Sequence, residues 1–169
     1  MSNNRTLKII SGAQTGADRA ALDAAIELGV DYGGAVPKGR KAEDGPVDLK
    51  YDRLTELGTG NYSVRTERNI KDADATLIFT KGHPTGGTAL TIDLANKYKK
   101  QLLVIDINQH TEEEAATFIK RWLCSINPHT LNVAGPRESK SPGIYKAVLK
   151  ILKAALINHA GKISIQPKS

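Results

Sequence analysis

Two glycine turns carry the residues of this chain best suited to hold a charged ligand. The first, Ser11-Gly12-Ala13-Gln14-Thr15-Gly16-Ala17-Asp18, follows a short apolar run and opens an alanine-rich helical pattern. The second, Lys81-Gly82-His83-Pro84-Thr85-Gly86-Gly87-Thr88, follows a continuous apolar run and opens another helix. The first N–H groups of a helix have no intrahelical acceptor, and the macrodipole places partial positive charge there, so backbone alone can hold an anion. Glycine at 12 and 16 lets the chain take positive φ and approach a ligand closely. Gln14 and Thr15 in the first turn, and Thr85 and Thr88 in the second, add polar side chains. Neither the G-x-G-x-x-G dinucleotide fingerprint nor a P-loop is present.

Cations and acids fall near these turns. Lys38 and Arg40 lie in Pro37-Lys38-Gly39-Arg40-Lys41, at the start of a long irregular stretch from Pro37 to Tyr62 that reads as a lid or rim over an anion. Arg65 and Asn69 are one helical turn apart and share a face. Gly135 and Arg137 follow the last strand. A hydrolytic enzyme would need a carboxylate here, and Asp18, Asp93 and Glu138 are the candidates. Asp18 in a first helical turn also has a plain role, stabilising the dipole. His83 is a loop histidine, and the four histidines have no metal-binding spacing. With neither HExxH nor G-x-S-x-G, no catalytic residue and no metal set is assigned.

The elements that position these residues alternate. A strand before Ser11 leads to a helix from about Gly16 to Leu28, ended by Gly29. A strand from Val30 to Val36 follows, then the irregular stretch, then a helix over about 63–71 with Ser63 as N-cap. Thr76 to Thr80 reads as a strand buried on both faces, followed by a helix from Thr88 to Tyr98 and a strand from Gln101 to Ile107. Thr111 with Glu114 forms a capping box, with Ala115, Phe118, Ile119, Trp122 and Leu123 on the inward stripe and Cys124 as a small structural residue. A strand over 130–134 precedes Ser141-Pro142, expected as N-cap and first residue of a last helix reaching Asn158; the 161–169 tail is expected to fray. The result is an α/β parallel sheet of about five strands with helices on both faces. Every special turn then follows the carboxyl end of a strand, the rim where such sheets bind ligands.

Length and composition fit this reading. The 169 residues suit one domain spanning 1–169, 40% hydrophobic and 25% charged. No apolar run approaches the ~20 residues needed to cross a bilayer, and Met1-Ser2-Asn3-Asn4-Arg5 lacks an apolar signal core. With one cysteine, a cytoplasmic location is expected. Lysine and arginine total 24 against 18 acids, a balance of +6. These cations are scattered and only two Phe, one Trp and five Tyr are available for stacking, which favours an anionic small molecule over nucleic acid.

The blocks Ser11–Asp23, Pro37–Gly45, Arg65-Thr66 with Asn69, Gly86–Ala89 and Leu131–Ser139 together resemble the molybdenum cofactor carrier family. More distantly the chain is similar to the Rossmann-like group that includes the Lonely Guy phosphoribohydrolases, also known as lysine decarboxylase-like proteins. The resemblance implies a three-layer Rossmann-like domain, commonly a homo-oligomer, holding a phosphorylated pterin or nucleotide-like ligand at the strand-end rim. Gly12, Thr15 and Gly16 would match its first glycine loop, and Gly86, Gly87 and Thr88 its phosphate loop. Ala13 stands where relatives often have glycine, and Asp93 is the only acid offered where the phosphoribohydrolases place a catalytic glutamate. The function implied is non-catalytic carriage of the molybdenum cofactor, molybdopterin; the alternative is a phosphoribohydrolase-like enzyme.

Overall fold

A computed structural model describes residues 6–160 of the chain. Six parallel strands form the sheet, in the order β5-β2-β1-β8-β6-β7. They are β1 (Lys8–Ile10), β2 (Asp31–Val36), β5 (Leu54–Glu56), β6 (Ala75–Thr80), β7 (Gln101–Asp106) and β8 (Thr130–Ala134). Two further strands, β3 (Lys41–Ala42) and β4 (Gly45–Pro46), pair only with each other, as an antiparallel hairpin. Ile9 stands in register with Tyr32 and Leu131, and Leu77 with Leu103 and Val133, so the sheet centre is a ladder of apolar side chains. All six residues of β6 are buried, as a strand covered on both faces requires.

Helices cover both faces in a three-layer arrangement. They are α1 (Ala17–Leu28), α2 (Tyr62–Asp72), α3 (Gly86–Lys97), α4 (Glu112–Ile126) and α5 (Ile144–Ala160). In one layer α5 lies against both α1 and α4; α2 and α3 pack together in the other. Ala17, Ala20, Ala21, Ala24 and Ala25 are all fully buried on α1, and side chains this small allow the helix to approach its neighbours closely. Ile144, Val148, Ile151, Leu152 and Ala155 are buried on α5 as its periodicity predicts. Among the described residues no helix is long and apolar enough to cross a membrane.

Several local expectations change. The stretch after β2 is not irregular: it holds a short 3-10 turn at Lys38–Arg40, the β3–β4 hairpin, and β5, which joins the sheet edge as its sixth strand. Helix α2 begins at Tyr62, and its N-cap is Asn61, whose Oδ1 accepts from the Ser63 amide at 2.8 Å. Helix α3 begins at Gly86, two residues before Thr88. Helix α5 begins at Ile144 rather than Pro142; the Glu138 carboxylate accepts from the amides of Gly143 and Tyr145 at 2.6 and 2.9 Å and closes its first turn. The capping box of Thr111 and Glu114 forms on α4, but Phe118 on that helix is 43% exposed and Cys124 lies at the surface. The expectations for the first five residues and for the 161–169 tail lie outside the described residues.

Candidate functional site

A cavity of about 330 Å³ opens at the carboxyl ends of the strands. Gly12, Gln14 and Asp18 reach it from the β1–α1 turn, and Gly86, Gly87 and Thr88 from the start of α3. Helix α2 contributes Tyr62, Arg65, Thr66 and Asn69, while Asn132, Gly135 and Arg137 come from β8 and the loop after it. The two glycine turns therefore face one space.

At its base lies an ion pair, Arg65 Nη1 to Asp18 Oδ2 at 3.1 Å, with the residues 7% and 5% exposed. Burial pushes the Asp18 carboxyl above the ordinary range, against the opposing pull of the Arg65 guanidinium and of the Gln14 and Gly135 backbone amides. Gly12 makes this pair possible. A Cβ at that position would stand 1.3 Å from Arg65 Nη1, so the guanidinium crosses where a side chain would be. Positive φ in the turn falls at Ala13 (57°) and Gly16 (81°), not at Gly12.

The two turns differ in what meets their helix ends. At α1, the Ala17 amide donates to the Pro136 carbonyl at 3.3 Å, and the Asp18 carboxylate sits in the first turn. Gly16 seats this helix against the loop after β8, since a Cβ there would lie 2.4 Å from the Pro136 carbonyl oxygen. The protein thus fills its first anion cradle with its own oxygens. Helix α3 has no acid in its first turn and no side-chain cap from Thr85, while Gly86 and Gly87 are exposed to the cavity.

Three buried donors also lack partners among the described residues: Arg65 Nε and Gln14 Nε2, on residues that line the cavity, and Arg19 Nε, on one that does not. Gln14 is 5% exposed, and its Oε1 accepts from the amides of Glu43 and Thr15 at 2.9 and 3.1 Å. Arg137 stands over the Tyr62 ring at 5.1 Å, with Arg65 at 5.6 Å from the same ring, and makes no ion pair among the described residues. Charge in the cavity is therefore positive: Asp18 offsets Arg65, leaving Arg137 and the α3 dipole.

Not every expected residue arrives. Asn69 lines the cavity, but its amide is engaged by β2, accepting from Ala35 N at 2.7 Å and donating to Ala35 O at 3.1 Å. Arg40 lies outside, its guanidinium bonded to the carbonyls of Val47, Asp48 and Tyr51, so it ties its own loop together. Lys38 is exposed and also outside, with its amide on the Thr59 carbonyl. Of that basic stretch, Lys41 comes nearest, 5.1 Å over the Tyr62 ring. Thr15 and Gly16 face the loop after β8, and Thr85 lines a neighbouring cavity of about 190 Å³ with His83, Lys140 and the shared Thr88. Of the three carboxylates, Asp93 is exposed and outside, Glu138 caps α5, and Asp18 alone lines the cavity.

Tyr62, Thr66, Thr91 and Asn132 also line the cavity; none is among the expected ligand-binding residues, although Thr66 and Asn132 lie in the blocks that carry the family resemblance. Asn132 had a signal: it is the polar residue in the buried run Leu131-Asn132-Val133.

Residues 9–156 match the circularly permuted YpsA SLOG family. The crystal structure of a protein named "Putative molybdenum carrier protein", from Syntrophus aciditrophicus SB, is similar with a TM-score of 0.87 and 51% sequence identity. The match covers 90% of this chain and 96% of that one. No curated protein matches this chain.

Proposed function

We propose, from the premise that this chain belongs to the circularly permuted YpsA SLOG family, that its cavity binds and carries a small phosphate-bearing molecule of the pterin or nucleotide kind, the molybdenum cofactor foremost. The observation that carries this reading is the uncapped start of α3, with Gly86 and Gly87 exposed to a cavity that Arg65 and Gln14 also line, each with a buried donor, Nε and Nε2, that has no partner among the described residues. A buried donor left unmade costs about 1–3 kcal/mol, a penalty that a ligand acceptor would remove where a shift of the side chain brings the donor to the cavity surface. Phosphate oxygens at Gly86 and Gly87 would meet backbone donors and the positive helix end, with the Thr88 hydroxyl beside them, the Thr88 amide being bonded to the Thr85 carbonyl. Tyr62 under Arg137 offers a flat, cationic face to an attached ring. At about 330 Å³ the space is of ligand size. The name of the Syntrophus protein supports molybdenum-related cargo.

Thermal unfolding with inorganic phosphate, guanosine monophosphate and a phosphorylated pterin tests this, together with mass spectrometry of what copurifies. A true ligand at 100 times its Kd adds about 2.7 kcal/mol, and at roughly 2–4 °C per kcal/mol for a chain of this size Tm rises by about 5–10 °C. No shift with any of the three and no copurifying phosphate compound would sink the proposal.

The phosphoribohydrolase-like alternative keeps one supporting observation, the raised pKa of Asp18 inside the cavity, which suits a proton donor. Release of free base from a nucleotide panel would favour it. The carrier reading also has the protein acting in the cytoplasm as a homo-oligomer; light scattering after size-exclusion chromatography reads the assembly.

A further inference from the structure

We infer that Glu43, which does not line the cavity, is a positioning residue for it: through the β3–β4 hairpin it fixes the amide of cavity-lining Gln14, with Oε1 held toward the hairpin and Nε2 turned away from it. The inference rests on the proposed binding site. Glu43 and Asp44 form the hairpin tip between Ala42 and Gly45. Thr15 Oγ1 donates to Glu43 Oε1, which also accepts from the Ser139 amide at 3.3 Å, while Ser139 Oγ donates to Oε2 at 2.5 Å. These bonds hold the Glu43 carboxyl below the usual carboxylate range and keep it ionised. Beside it, Asp44 accepts from both Arg19 Nη atoms, at 2.5 and 3.1 Å. One carboxylate thus joins the turn after β1 to the loop after β8.

This clamp places the Glu43 N–H 2.9 Å from Gln14 Oε1, beside the Thr15 N–H at 3.1 Å. Terminal amide torsions are soft, and one bond would leave the Gln14 plane free to turn. Two converging donors demand oxygen on that side, because a flipped amide would set its NH2 against two N–H groups. Nε2 must then project the other way, where it is buried without a partner among the described residues.

The test uses ¹⁵N-labelled full-length protein, with the Gln14 side-chain amide assigned by its loss in Q14A. Wild type should show one sharp, exchange-protected pair of resonances. E43Q, which can still accept from Thr15 and Ser139, should keep that pair, and E43A should broaden it. S139A, a milder cut, should move it in the same direction and serves if E43A does not fold. Titration with inorganic phosphate, followed at the Gly86 and Gly87 amides, should show about three- to tenfold weaker binding in E43A. In Q14A the added E43A should change nothing further. An unaltered Gln14 pair in E43A, or additive effects in the double variant, overturns the positioning role. Unmoved Gly86 and Gly87 signals in wild type instead count against the binding site itself.

Discussion

Replacing Gly12 by alanine probes the base of the cavity without removing a polar group. The new Cβ would lie 1.3 Å from Arg65 Nη1, 2.4 Å from Cζ and 2.7 Å from Cδ, where non-bonded heavy atoms normally stand about 3.5–4.0 Å apart. All three overlaps are with the Arg65 side chain and none with backbone, so arginine is what gives way, and its movement takes the guanidinium off Asp18. That carboxylate is 5% exposed, and removing one partner of a buried ion pair costs about 3–5 kcal/mol. Reduced entropy of the unfolded chain returns about 0.4–1 kcal/mol. The expected net loss is about 2–4 kcal/mol, read by urea unfolding. A cycle with R65A isolates the cause, because with the guanidinium already gone, alanine at 12 should cost under about 0.5 kcal/mol. A loss below about 1 kcal/mol in the wild-type background, or equal losses in both backgrounds, would refute the assignment of Gly12 to the passage of Arg65.

Other perturbations separate stability from binding. T111A removes the hydroxyl that accepts from the Glu114 amide at the start of α4, one half of the capping box, and should cost about 1 kcal/mol in urea unfolding, with T111S restoring most of it. R137A removes a cation that makes no ion pair among the described residues; phosphate affinity measured by calorimetry should fall about 10- to 100-fold, with stability unchanged within about 0.5 kcal/mol. Acid should open the hairpin. The Glu43 and Asp44 carboxyls are held low by their hydrogen bonds, so their stabilisation is present above the unfolded values of about 4 and lost as pH falls through the lower folded values. Hydrogen exchange at the Glu43 and Ser139 amides, corrected for intrinsic rate, should quicken as pH drops below 4. Asp18 has the opposite sign: its contribution is greatest below the unfolded value and declines as pH rises through the raised folded one.

Alternation of apolar runs and helical stripes made the central strands and all five helices legible, because burial on both faces leaves continuous runs such as Thr76-Leu77-Ile78-Phe79-Thr80. What escaped was decided by tertiary partners. Leu54–Glu56 is three residues long and exposes two of them, too little pattern to mark an edge strand; its place comes from pairing with Gly34–Val36. Ser63 looked like a cap by residue type, yet Asn61 two residues earlier takes that role. The start of α5 depends on Glu138, which lies six residues ahead of Ile144 and gives no local cue.

The site was legible in its glycines and less so in its charges. Arg40 resembled a ligand-facing cation because the reading could not see three carbonyls converging on it from Val47, Asp48 and Tyr51. Gly12 was read as a position of conformational freedom, whereas its role is to leave space for a side chain 53 residues away in the chain. The difference between the two glycine turns did have a sequence signal. Asp18 stands in the first turn of α1, while α3 has no acid in its first turn. An acid at that place fills the positive end of its own helix and repels an external anion; its absence leaves the amides open. The proposed phosphate therefore belongs at Gly86 and Gly87, and the first turn contributes through Gln14 and through the ion pair that holds Arg65 in place.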